Sequence, residues 1–124
     1  MKYGYIHGHA IKTLERWPLN LGGDGDIEDN FKHCRIANMC PALYHGKIYA
    51  CSFPANVYHL NSYYKMNFKV STRDSIDIYE VDTAEQIMDF ISKPFPFCRY
   101  CNIDNVTFGL PYETSSRDKS EWVD

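Results

Sequence analysis

The chain is 124 residues long, 44% hydrophobic and 15% aromatic, with a formal net charge of −3 and a pI near 5.9. That length gives one domain with a modest core, and an acidic balance disfavours nucleic acid, whose phosphates need a basic face. There is no apolar run of about 18 residues, so no membrane span is expected, and "MKYGYIHGHA" lacks the apolar region of a signal peptide, so a cytoplasmic location is expected.

Taken in chain order, "KYGYIHGHA" alternates Tyr3, Tyr5, His7 and His9 against small or apolar residues, a weak strand pattern. "LNLGGDGDIEDNF" predicts a turn and a short helix with Asp26 as N-cap and acidic residues in its first turn. "PALYHGKIYAC" predicts a β-hairpin, with Gly46 of His45-Gly46 supplying the positive φ of a tight turn. "SFPANVYHLNSYYKM" predicts a helix after Pro54, proline being tolerated at the first position.

"DSIDIYEV" sets Ile76, Ile78 and Glu80 against Asp77, Tyr79 and Val81, a second strand candidate. In "DTAEQIMDFISK", Ala84, Ile87, Met88 and Ile91 follow helical spacing, Thr83 and Gln86 stand at capping-box spacing, and Pro94 marks the stop. Beyond it the chain is proline-rich and irregular around "CRYC", then polar to the end. The expected fold class is α+β, a hairpin with two or three short helices. The ten tyrosines suit a half-exposed docking surface.

Chemistry concentrates in the cysteines at 34, 40, 51, 98 and 101. Five thiols cannot all pair within one chain, and in a reducing compartment metal binding is the better expectation. A redox dithiol needs a helix that starts at the Cys-x-x-Cys, whereas this one follows a helix. Hairpin ends and loops after helices converge readily, so Cys34, Cys51, Cys98 and Cys101 form a reasonable four-thiolate set for a tetrahedral Zn²⁺ or an iron–sulfur cluster. Buried, unliganded thiols are the bland alternative, above all for Cys40.

"CRIANMCPALYHGKIYAC" carries Cys-x11-Gly-x4-Cys through Cys34, Gly46 and Cys51. It resembles the opening signature of the SPASM and twitch domains, the auxiliary-cluster regions C-terminal to the barrel of radical SAM enzymes. "DSIDIYEVDTAEQIMDFISKPFPFCRYC" is similar to the strand, helix and Cys-x-x-Cys knuckle that close such a site, and the upstream "WPLNLGGDGDIEDNFKHC" and the "SYYKMNF" segment are similar more loosely. The resemblance implies one [4Fe–4S] cluster on Cys34, Cys51, Cys98 and Cys101, with Cys40 unassigned and able to replace Cys34 or line the site. It also implies a division into an N-terminal strand or linker region (1–16), the cluster domain (17–110) and a polar tail (111–124).

No triplet of the five cysteines has the Cys-x3-Cys-x2-Cys spacing that binds S-adenosylmethionine, so the chain alone is not expected to cleave it. The implied role is electron transfer or accessory work beside a radical SAM catalytic domain or an electron-transfer protein. Phe95, Phe97 and Tyr100 would shield the cluster, and knuckle amides would bond its sulfides. A zinc-stabilised interaction domain without redox chemistry is the alternative. His7 and His9 are read as surface histidines, and "GGDGDIED" as a solvated turn and helix cap, because it lacks the order of a calcium loop.

Overall fold

The computed structural model describes residues 13–124 in full and, before them, the strand backbone of Tyr5–Ile6 and His9–Ala10. Those two short strands, β1 and β2, pair antiparallel, so the stretch read as one strand is two where it is described. Tyr3 and His7 lie outside the described residues.

The α+β class holds. β3 (Thr13–Arg16) pairs antiparallel with β7 (Thr107–Pro111), with an irregularity between Leu14 and Arg16. A three-stranded antiparallel sheet runs β4 (Ala42–Tyr44), β5 (Lys47–Tyr49), β6 (Ser75–Asp77). β4 and β5 are the expected hairpin, turning at His45 and Gly46 with φ of 48° and 72°. Both positive angles match a two-residue turn of the kind that suits twisted strands. β6 ends three residues in because the Asp77 side chain accepts from the Tyr79 amide (2.9 Å) and turns the chain, so the alternation beyond it does not extend the ladder.

Three α-helices complete the fold. α1 (Ile27–His33) is capped by Asp26, whose carboxylate accepts from the Asp29 amide at 2.9 Å, as expected. α2 (Ser52–Tyr64) begins two residues before Pro54, with Cys51 as its N-cap. Pro54 therefore sits third in the helix, still within the first turn, whose amides have no intrahelical partner to lose. α3 (Ala84–Ile91) carries the complete Thr83/Gln86 capping box. Its apolar stripe is not a core face, however: Ile91 is buried, while Met88 is 58% exposed.

The core gathers Leu19, Ala50, Cys51, Val57, Phe68, Phe95, Phe97, Cys98, Tyr100 and Val123. The segment after α3 is a 3₁₀ turn, Pro96–Tyr100, rather than irregular coil. The end of the chain, read as a polar tail, is exposed over most of its length yet returns to this core. Val123 is buried, the Leu19 amide donates to Trp122 (2.9 Å), and the Asp124 amide donates to Leu19 (3.0 Å).

Candidate metal centre

Three parts of the chain bring their thiols to one place. Cys34 closes α1, Cys51 opens α2 after the hairpin, and Cys98 and Cys101 lie in and just after the 3₁₀ turn. All four line the same small enclosed cavity together with Trp17, Phe31, Phe53 and Phe95. The space in which the centre of a water-sized sphere can move there is about 20 Å³, room for a single water or ion. Its lining contains no carboxylate and no imidazole. Four thiols, with the Asn30 amide the one other polar side chain besides the Trp17 indole, are a donor set for soft or borderline metals.

All five cysteines are free thiols. Burial pushes Cys51 up to about 11, with the Phe53 amide opposing the shift and the neighbouring Cys34 and Cys40 adding to it. Burial likewise pushes Cys98 up to about 12 and raises Cys101 as well, each also feeling Cys51 and Cys34. The uncharged cavity keeps Cys51, Cys98 and Cys101 protonated at neutral pH, and a cation entering it would have to displace those protons.

Among the described residues, no group of three or more His, Cys, Asp or Glu side chains is arranged to hold a metal ion. The cysteines therefore share a cavity without closing around one point. Cys40 is half-buried and does not line it. His45 and His59 are outside it too, His45 meeting Tyr44 edge-on and His59 lying tilted against Tyr58.

The knuckle is held from two sides by residues that the sequence did not single out. The Asn30 side-chain amide donates to both the Cys98 carbonyl (2.8 Å) and the Cys101 carbonyl (2.9 Å), fastening the knuckle to α1. From the opposite side the fully buried Asp74 accepts from the Phe97 amide (2.7 Å) and the Ser71 amide (2.6 Å). The glycine-rich turn closes the same contact. A Cβ on Gly25 would stand 2.7 Å from the Arg99 carbonyl oxygen, and one on Gly23, at φ +62°, would stand 2.6 Å from the Tyr100 ring. Gly23 and Gly25 thus fit closely against the knuckle, while Gly22 and Asp24 stay exposed and Asp26 caps α1, in keeping with a solvated turn and helix cap.

Three of the knuckle amides expected to face a cluster are already engaged. The Cys98 and Cys101 amides donate to the Phe95 carbonyl (3.0 Å) and the Cys98 carbonyl (3.1 Å), and the Phe97 amide is taken by Asp74. Coiling into a 3₁₀ turn uses these donors internally, so they are not left for a bound sulfide. Phe95, Phe97 and Tyr100, expected as an aromatic shield, are all buried, but of the three only Phe95 lines the cysteine cavity.

Comparison of the chain with protein-family models, with curated proteins and with solved structures gives no match in any of the three.

Proposed function

We propose that the chain binds a [4Fe–4S] cluster through Cys34, Cys51, Cys98 and Cys101, as an auxiliary electron-transfer or accessory module of the radical SAM type. The observation that carries this reading is the meeting of the four thiols, from three distant segments, in one largely apolar cavity whose lining has no carboxylate and no imidazole.

When bound, such a cluster supplies one-electron chemistry, its potential set by charge, hydrogen bonding and exposure. The residues of this chain hold it and keep water out. Phe31, Phe53 and Phe95 wall the cavity. Cys51 is the N-cap of a 13-residue helix and lines the cavity from there. Asn30 and Asp74 fix the knuckle backbone. Four protein ligands leave no iron open, which favours electron transfer or a structural role over substrate ligation. A radical SAM catalytic domain or an electron-transfer protein is the partner proposed with it.

A second reading is favoured by the cavity's size. Room for one ion suits a structural zinc, which would close the four thiolates tetrahedrally by a small inward movement. Metal analysis of protein purified without oxygen separates the two. The cluster reading expects a brown protein with equal iron and acid-labile sulfide. A colourless protein with one zinc would overturn it in favour of the structural site.

A further inference from the structure

Tyr44, at the end of β4, and Tyr58, on α2, bring their rings together across the junction of hairpin and helix. The ring centroids are 5.9 Å apart with planes 23° from parallel, and the two phenol hydroxyls are hydrogen-bonded at 3.2 Å. Because the hydroxyls are closer than the centroids, the rings lean together at their oxygen ends, where the ortho carbons lie. Both residues are exposed, Tyr44 at 37% and Tyr58 at 44%, so a dissolved reagent reaches them. Among the described residues one other pair of tyrosines is in ring contact, Tyr63 and Tyr64. Those rings are near-perpendicular at 82°, and the Tyr64 hydroxyl is drawn away to the Arg117 carbonyl at 2.9 Å.

A phenol that loses an electron and a proton becomes a radical with its unpaired spin on the oxygen and the ortho carbons. Two such radicals held side by side combine. We propose that Tyr44 and Tyr58 form an oxidative cross-linking site, at which a one-electron oxidant joins the two rings and staples β4 to α2. Each phenol gives one electron to the oxidant and one proton to water. A carbon–carbon bond forms between the two ortho carbons, and the hydrogen on each passes to its ring's oxygen as the ring becomes aromatic again. Two equivalents of oxidant are reduced, and the chain ends lighter by two hydrogens. A tethered neighbour meets its partner at an effective concentration of about millimolar or more, so in dilute protein the pair couples within one chain before it meets another. The new bond spans 14 positions and closes a loop that contains Cys51, and such a closure restricts the unfolded chain. The inference is independent of any metal, because it uses none of the cysteines.

The test exposes the dilute 124-residue chain to photogenerated ruthenium(III), a one-electron oxidant, and follows dityrosine fluorescence, intact mass and joined peptides. Samples are then treated with excess thiol, which reopens any disulfide but leaves a carbon–carbon bond intact. The expected product is a monomer lighter by two hydrogens, with Tyr44 and Tyr58 in the joined peptides. Tyr44→Phe and Tyr58→Phe keep the ring packing and should each lower the yield of monomeric dityrosine at least about fivefold. Tyr63→Phe should leave that yield unchanged. Still in excess thiol, the cross-linked chain should unfold at higher urea than the untreated chain. The proposal is overturned by a bond mapped between other tyrosines, by dityrosine found in dimers alone or not at all, or by parental yields in the Tyr44 and Tyr58 variants. An unshifted urea midpoint in the cross-linked chain would overturn it as well.

Discussion

Replacing Asn30 with alanine removes the one side chain that ties α1 to both carbonyls of the Cys-x-x-Cys knuckle. Two hydrogen bonds of 2.8 and 2.9 Å are lost, and both acceptors lie in partly buried surroundings. A typical net contribution is about 1 kcal/mol per bond, and leaving a buried acceptor unmet costs about 1–3 kcal/mol. Partial access of water lowers that second figure, so the expected loss is about 2–3 kcal/mol. With a urea slope of about 1–3 kcal/mol per molar for a small domain, the midpoint should fall by about 1 M or more. Equilibrium urea unfolding followed by both fluorescence and circular dichroism checks the value and the two-state assumption together. Asn56→Ala serves as the comparison, since Asn56 is exposed and bonds only within its own helix; it should lose no more than about 0.5–1 kcal/mol. An Asn30→Ala variant within about 0.5 kcal/mol of the parent would refute the reasoning, because the knuckle would then hold its place without this tie.

Gly23→Ala should cost about 2 kcal/mol or more, through a left-handed backbone and a clash with Tyr100, while Gly22→Ala, whose added Cβ meets the Asn20 and Asp24 side chains at 3.1 and 3.5 Å, should cost under about 1 kcal/mol in the same urea unfolding assay. On α3, Met88→Lys is expected to shift stability by less than about 0.5 kcal/mol and Ile91→Ala to lower it by about 2–4 kcal/mol; equal effects would mean that the stripe is packed along its whole length. Hydrogen bonds from Arg16 and Asn105 hold the Asp124 side chain below the usual carboxylate range. Its contribution to stability is therefore complete above the unfolded aspartate value and lost as pH falls through the lower folded value. A ¹³C titration should show that depression, and Arg16→Met should bring the value back up.

Local patterns were the legible part of the fold. The Thr83 capping box, the Asp26 cap and the His45-Gly46 hairpin turn depend on neighbours in sequence, and each forms as the residue types dictate. Convergence of Cys34, Cys51, Cys98 and Cys101 was also legible, because hairpin ends and post-helix loops bring distant segments together. What could not be read was which side chains carry long-range bonds. Asn30 looks like any polar residue of a short helix, and its partners lie 68 and 71 positions away. Asp74 reads as a surface aspartate until the Phe97 amide meets it. Val123 follows a polar stretch and gives no local sign that Leu19 awaits it. The closely spaced glycines of "GGDG" did hold a signal, since such spacing often marks close backbone approach. Met88 shows the reverse error: helical periodicity identifies an apolar stripe but not whether anything covers it.

The most direct test of the proposed centre is iron and acid-labile sulfide content after anaerobic reconstitution, measured on the parent and on five single cysteine-to-alanine variants. Loss of cluster in the Cys34, Cys51, Cys98 and Cys101 variants, with Cys40→Ala retaining it, is the expected result. Parent protein that takes up no iron, or a Cys98→Ala variant that holds as much as the parent, would contradict the account.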